Sequence, residues 1–293
     1  MKKRKWGDRR DGRRVTELKG LQTIMANLMP NRTEAEVFLS DKIDATELLK
    51  YLEKKNAEHP EYKTTIFHCF IVAMAKMVME RPLMNRFIQG RRLYERDEVS
   101  ISFVAKRRFS DGADEALMIF KAKDEDTLDS VSKYIVGDVT KMRKHEHAVD
   151  GLDKFMDNLA KLPRPILMFV VWFFRTLDFW GLMPQDIMDD DPNYTTILAS
   201  NLGSIKAPSV YHHLNNYGTN SIMVTIGTLH KEEVIMEDGH KEIRDVIDFG
   251  ATLDERIGDG FYFARSLKLL KYIFAHPEML DWPLSKPSGF DYK

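Results

Sequence analysis

The feature that most constrains the fold is the order in which strand-like and helix-like segments follow each other. Apolar residues alternate with polar ones in some segments and recur at helical spacing in others. Strands separated by long helical segments have to pair around those helices, which favours an α/β (α+β) two-layer sandwich with a mixed sheet and excludes a helix bundle. Strands are predicted at Glu36–Ile43, Val99–Lys106, Glu115–Ala122, Thr195–Ala199, Ser221–Leu229 and Val246–Leu253, a hairpin turn at Ser110–Ala113, and helices at Ala45–Ala57, Thr65–Glu80, Thr127–His147, Leu152–Leu162 and Asp259–Ala275.

Charge and cysteine content exclude several classes of function. The 293 residues include 44 Lys and Arg against 45 Asp and Glu, so the bulk charge gives no reason to expect a nucleic-acid partner. The single cysteine, Cys69, excludes an internal disulfide and a cysteine-rich metal site, and it fits a reducing, cytoplasmic compartment. The sequence contains no dinucleotide-binding glycine motif, Walker loop or zinc-ligand spacing, so we predict no metal.

Two segments stand apart from the alternating pattern. Residues 1–36 form a basic arm and a helix, and the arm is either solvated or a clamp for an anionic ligand or membrane. The run Ile166–Phe174 (ILMFVVWFF) lies in an apolar, inserted-looking helical region at about 150–190. It is far shorter than the ~20 residues that span a bilayer, and we expect a buried helix. The alternatives are a helix that touches a membrane through residues 166–183, or an insert that forms a lid or an acyl-chain pocket.

Three clusters of residues could carry chemistry. Ser200 follows a predicted strand in the sequence SNLG, where its hydroxyl could stabilise an oxyanion, although the same residues are typical of a turn. His212 and His213 are adjacent and would point to different sides of a strand, so they do not form a ready chelate. The segment Asp254–Gly260 (DERIGDG) lies between a strand and a helix and places Glu255 where a base could sit.

The last of these clusters resembles a known family. LDERIGDGFYFARSLKLLKYI is similar to the DHRxxDG segment of dihydrolipoamide acyltransferase catalytic domains, which are chloramphenicol acetyltransferase-like. VFLSDKIDATELLKYLEK, TTIFHCFIVAMAKMVMERPLMNRFI, VSISFVAKR, TILASNLGS and SIMVTIG resemble further segments of that family in the same order. The resemblance covers about Val37 to Leu280 except the insert. It indicates an acyltransferase-like catalytic domain at residues 37–293, preceded by the arm.

The resemblance implies a homotrimer with CoA-dependent acyl-transfer sites between subunits. One subunit would supply Ser200, whose hydroxyl stabilises the tetrahedral oxyanion, and the neighbour would supply the base. Asp259 matches the Asp before Gly, which holds the site through an ion pair. Glu255 stands at the position of the catalytic His. Because a free carboxylate titrates near ~4.3, Glu255 would have to be desolvated to act as a base at pH 7, and His212 or His213 could replace it.

We therefore expect an acyltransferase that moves an acyl group from acyl-CoA to a thiol, hydroxyl or amine of a small molecule or a lipoyl-type acceptor. Only some forty residues precede the matching region, so no lipoyl group is expected on this chain. The alternative is a catalytically inactive trimeric binding or scaffold protein on the same fold, which could associate with a membrane.

Overall fold

A mixed six-stranded sheet forms the centre of the molecule. The computed structural model describes residues 4–58, 61–106, 115–144, 157–236 and 238–292. The strands lie in the order β2-β9-β8-β7-β5-β6, and only the β5–β7 and β7–β8 pairs are parallel. Their bounds are β2 Glu36–Asp44, β5 Val99–Lys106, β6 Glu115–Ala122, β7 Ile197–Asn201, β8 Ile222–Ile235 and β9 Lys241–Asp254.

One face of this sheet carries the core. The strand residues that enter the core recur at every second position, as in Ile197 and Ala199 of β7. Helices contribute the other side of the same apolar cluster. The helices that pack there are α2 Thr46–Glu58, α3 Ile66–Glu80, α4 Leu128–Lys144 and α7 Gly260–Ala275. A mixed sheet covered by helices confirms the predicted fold class.

Most predicted elements are present with shifted ends. Both strands of the predicted hairpin have the bounds expected from the sequence, and the predicted turn at Ser110–Ala113 lies outside the described residues. Helix α3 begins after Thr65, whose hydroxyl accepts a hydrogen bond from the His68 backbone N–H at 3.4 Å. The first five residues of the predicted helix Leu152–Leu162 also lie outside the described residues, and residues 157–160 are helical.

A second, three-stranded sheet was not predicted. It has the order β1-β4-β3, with β1 Gly12–Arg14, β3 Arg86–Gln89 and β4 Arg92–Arg96. These strands are short and rich in arginine, so they lack the apolar alternation that marks a strand. The sheet ties the N-terminal arm to the body of the molecule.

The prediction that the apolar run forms a buried helix is wrong about burial. The run forms helix α5, Arg164–Phe179, and Asp178 is the one residue of that helix that is buried. Its large apolar side chains are exposed, with Phe169 at 61% and Trp172 at 60%. Apolarity predicted the helix to be covered, but among the described elements none packs extensively along it. Two further short helices among the described residues are α1 Gly20–Leu28 and α6 Gln185–Asp190.

Candidate active site

Ser200 lies near the carboxyl end of β7, on the sheet face opposite the core. Its neighbours in the pairing register are Thr225 of β8 and then Gly250 of β9. The chain after β7 crosses this face, where the Val210 carbonyl accepts a hydrogen bond from the Thr225 hydroxyl at 2.6 Å. A Cβ on Gly250 would lie 2.9 Å from that carbonyl oxygen, so a glycine lets the segment approach the sheet. The Ser200 hydroxyl has no hydrogen-bond partner among the described residues.

A turn and a cavity adjoin Ser200. The Asn201 side chain accepts a hydrogen bond from the Ser204 N–H at 3.3 Å, which caps the short 3₁₀ turn Leu202–Ile205. The SNLG segment is therefore both a strand end and a turn. A cavity of about 540 Å³ opens at this end of the sheet, between the turn and the amino end of α3. Thr65 and Phe67 line it from the helix side.

Glu255 follows β9, whose last residue, Asp254, forms a buried ion pair with Arg256. The Arg256 Nε and Nη2 atoms donate to the two Asp254 carboxylate oxygens at 2.7 and 2.6 Å, a bidentate arrangement. Arg256 also donates to the Met29 carbonyl at 2.5 Å. Because Asp254 and Arg256 both face inward, the Glu255 side chain between them is exposed.

Asp259 caps a helix rather than forming the ion pair that the resemblance implied. Its carboxylate accepts a hydrogen bond from the Tyr262 N–H at 2.7 Å and so satisfies the first turn of α7. Within the described part of the chain Asp259 makes no salt bridge. The pair that stabilises this loop is Asp254–Arg256, which the sequence analysis had not singled out. The acidic residue before Glu255 and the basic residue after it were the sequence signal that could have predicted this ion pair.

His212 and His213 lie in an irregular segment rather than a strand. The centroids of their rings are 4.9 Å apart, and both side chains are exposed. The next backbone N–H, that of Leu214, donates to the Glu36 carboxylate at 2.5 Å. Glu36 pairs with Asp254 in the β2–β9 register, so the two histidines approach the Glu255 end of the sheet.

Ser200 and Glu255 are far apart within one chain. Ser200 is level with Gly250, two strands away, and Glu255 follows five residues after Gly250. At ~3.4 Å per residue and ~4.8 Å per strand, their backbones are about 20 Å apart. The structure thus places the predicted base just beyond the end of β9 and the predicted oxyanion donor two strands away, level with the interior of β9.

Arginines concentrate near Glu255, a feature that no sequence signal revealed. Arg32 is buried, and it donates to the Ile88 and Asn215 carbonyls at 2.7 and 3.2 Å. Burial, together with the Arg256 guanidinium, lowers the pKa of Arg32 to about 10, so it stays charged at pH 7. It lines a cavity of about 210 Å³ together with Arg91, Arg175 and Arg256.

Candidate metal ligands do not come together in the part of the chain that the structure describes. His68, in α3, is buried, and burial lowers its pKa to about 4. Its Nδ1 accepts a hydrogen bond from the Thr65 N–H at 3.4 Å. His68 is therefore a neutral, hydrogen-bonded core residue.

Comparison with known sequences supports the predicted resemblance. Residues 11–113 match the family model described as 2-oxoacid dehydrogenases acyltransferase (catalytic domain). The lipoamide acyltransferase component of the branched-chain alpha-keto acid dehydrogenase complex of Bacillus subtilis (strain 168) is 22% identical over 258 residues. The alignment covers 86% of this chain but 50% of the relative, so the chain spans about half of that protein's length.

Solved structures share the fold over most of the chain. A probable dihydrolipoamide acetyltransferase from Listeria monocytogenes 4b F2365 is 18% identical with a TM-score of 0.58, covering 96% of this chain and 99% of that one. A chloramphenicol acetyltransferase is 11% identical with a TM-score of 0.53, covering 90% and 99%. The chain shares the fold of these acyltransferase structures, and the predicted resemblance to dihydrolipoamide acyltransferase catalytic domains is confirmed. The residues that match the family model include neither Ser200 nor Glu255, whose roles stay predictions.

Proposed function

We propose that this chain, whose sequence and fold are similar to dihydrolipoamide acyltransferase catalytic domains, transfers an acyl group from acyl-CoA to a thiol, hydroxyl or amine. The acceptor is a small molecule or a lipoyl-type group, and CoA enters as a substrate rather than a bound cofactor. The active site lies between two copies of the chain in a homotrimer. Ser200 comes from one copy. Glu255, in the loop between β9 and the helix cap Asp259, comes from the next copy.

The distance between Ser200 and Glu255 is the observation that carries this proposal. An oxyanion donor and a base that serve one reacting carbonyl must both lie within about 3 Å of the reacting atoms. A separation of about 20 Å excludes that within one chain. Each of the two positions therefore offers half of a site, and a neighbouring copy supplies the other half.

The chemistry follows from the two side chains. The Glu255 carboxylate takes the proton of the acceptor, whose thiol, hydroxyl or amine attacks the thioester carbonyl of acyl-CoA. The carbonyl oxygen becomes an oxyanion, which the Ser200 hydroxyl stabilises by donating a hydrogen bond. The tetrahedral intermediate collapses and releases the CoA thiolate, which receives the proton from Glu255. Acyl transfer is then complete, and both side chains have returned to their starting states.

Burial of Glu255 is the requirement that this mechanism places on the assembly. The carboxylate is exposed in one chain. A carboxylate acts as a base at neutral pH only when a low-polarity environment favours its protonated form. The neighbouring copy must therefore cover Glu255 as it brings its own Ser200 into place.

A complementation experiment tests the intersubunit site. Ser200→Ala and Glu255→Gln should each abolish CoA-dependent acyl transfer when purified alone. If the chains assemble at random from an equal mixture, about one quarter of the sites receive Ser200 and Glu255 from the two complementing chains. About a quarter of the wild-type activity should then return. A mixture as inactive as its components would exclude a site shared between these two residues.

A second candidate function is a trimeric binding or scaffold protein without catalysis. The exposed Glu255 in place of a histidine is the observation that favours it. A ligand that binds only the folded state must raise its melting temperature. CoA and acetyl-CoA at millimolar concentration therefore show whether the chain binds them, and an assay of turnover then separates the enzyme from the scaffold. Binding without turnover supports the scaffold, whereas turnover that His212→Ala or His213→Ala abolishes would make a histidine the base.

A further inference from the structure

Helix α5 exposes a broad apolar face. At 100° per residue, its exposed apolar residues span about 220° of the circumference, and the remaining side holds the half-buried Leu167, Val170, Phe174 and Leu177. The exposed apolar residues of α5 and of the turn that follows are Ile166, Met168, Phe169, Val171, Trp172, Phe173, Phe179, Trp180 and Leu182. An apolar helix face of this width is normally covered by a protein core or a membrane. The described residues leave this face uncovered.

The carboxyl end of α5 is firmly attached to the body. The Asp178 carboxylate accepts hydrogen bonds from Arg9 Nη2 at 2.8 Å and from Gln89 Nε2 at 2.6 Å. Arg9 also donates to the Asp178 carbonyl at 2.5 Å. Gly90 packs so closely beneath the Phe179 carbonyl that a Cβ would lie 2.2 Å from its oxygen. The apolar turns therefore extend from a rigid base, which holds their surface in a defined orientation.

Cationic side chains surround that base. Arg175 of α5 and Arg91, at the tip of the β3–β4 hairpin, line the same cavity as Arg32 and have no salt-bridge partner among the described residues. Arg91 has φ of 59°, a left-handed conformation that costs energy in a residue with a Cβ. The buried Arg32 donates only to uncharged acceptors, and its Nε lacks a partner within the described chain. The one acid that lines the cavity, Asp178, is already paired with Arg9.

The cationic cavity and the apolar helix form one continuous surface. Arg175 and Phe179 line both the cavity and the exposed apolar stripe of α5. We infer that this surface binds an anionic phospholipid bilayer, with α5 lying in the interface and a lipid phosphate in the arginine cavity. Trp172 and Trp180 are residue types that prefer the interface, and arginines are attracted to anionic head groups.

The length of the helix sets its orientation. Its 16 residues extend about 24 Å, less than the ~30 Å of a bilayer core. None of the described helices is long and apolar enough to cross a membrane. A second copy of α5 would cover apolar surface but would bring further arginines to the cavity. An anionic lipid satisfies both the apolar and the cationic parts, which favours the bilayer as the occupant.

Vesicle flotation tests this inference with the full chain. The protein should float with phosphatidylcholine vesicles that contain phosphatidylglycerol and bind pure phosphatidylcholine vesicles at least about tenfold more weakly. The double variants Phe169→Ser/Trp172→Ser and Arg91→Glu/Arg175→Glu should each reduce binding to the anionic vesicles at least about tenfold. Equal binding to both kinds of vesicle, or binding to neither, would overturn the inference.

Matched controls separate lipid binding from general effects of the substitutions. Ile243→Ser removes an apolar side chain that is 72% exposed at the far end of β9, and Lys54→Glu reverses an exposed charge on α2. Both should bind anionic vesicles like the wild type. Sedimentation of the Phe169→Ser/Trp172→Ser variant addresses the rival occupant. Loss of its oligomeric state would show that α5 is a contact between copies, and the lipid inference would then be wrong.

Discussion

The residues around Glu255 show how a small structural pair directs a candidate catalytic side chain. Asp254 and Arg256 turn inward and satisfy each other, and this fixes the direction in which Glu255 leaves the backbone. The sequence motif predicted that Glu255 stands where a base could sit. It did not reveal that the two charges beside it are buried, because charged residues are usually exposed and only a three-dimensional partner explains the exception.

Asp254→Asn should be strongly destabilising, because it leaves the Arg256 guanidinium buried without its counter-charge. Removal of one partner of a buried ion pair costs about 3–5 kcal/mol in the free energy of unfolding. Urea unfolding measures this change. The matched control is Asp41→Asn, which removes the partner of Lys271 in a partly exposed pair and should cost about 0–1 kcal/mol. Equal losses in the two variants would contradict the assigned importance of the buried pair.

Among the elements, apolar periodicity predicted the strands of the large sheet and the helices that pack on it. It did not predict the strands of the small sheet or the exposure of α5. The strand β9 and the helix α3 have regular patterns and were found close to their predicted positions. The strand β4, with the sequence RLYER, was missed because an arginine, Arg96, occupies one of its buried positions and donates a hydrogen bond there to the Tyr194 carbonyl. Helix α5 was predicted as a helix, but its pattern could not tell whether the chain itself covers it.

Gly90 allows the close approach between the β3–β4 hairpin and the carboxyl end of α5. Gly90→Ala should lower the free energy of unfolding by about 1–3 kcal/mol more than Gly239→Ala, because the added Cβ collides with the Phe179 carbonyl. Gly239 is the matched control, since its φ of +86° is also positive and nothing lies near its Cβ. Thermal and urea unfolding compare the two variants. Losses of the same size would mean that backbone strain alone accounts for both, and that the hairpin does not support α5.

At the scale of the whole molecule, the sequence indicated that Ser200 and Glu255 could form a site, but it did not indicate the distance between them. The order of the motifs says nothing about the pairing register, which separates Ser200 from Glu255 by two strands and five residues. That separation is the reason for our proposal that two chains form the site. The arginine cavity could not be foreseen, because its members come from segments that are distant in sequence.

The proposed site between chains would make activity depend on assembly. When sedimentation shows that dilution has converted most of the protein to monomer, its specific activity should fall at least about tenfold. Circular dichroism of the same samples must show that the monomer stays folded. Monomer as active as the assembled protein would contradict the shared site.

Adding inactive chains to that dilute protein sharpens the test. An excess of Glu255→Gln chains should restore activity, because each supplies the Ser200 that a wild-type Glu255 lacks. The double variant Ser200→Ala/Glu255→Gln assembles through the same surfaces but offers neither group, so it should restore none. If both chains restored activity equally, assembly would act by stabilising a site within one chain. A difference between them can arise only when Ser200 of one copy serves Glu255 of another.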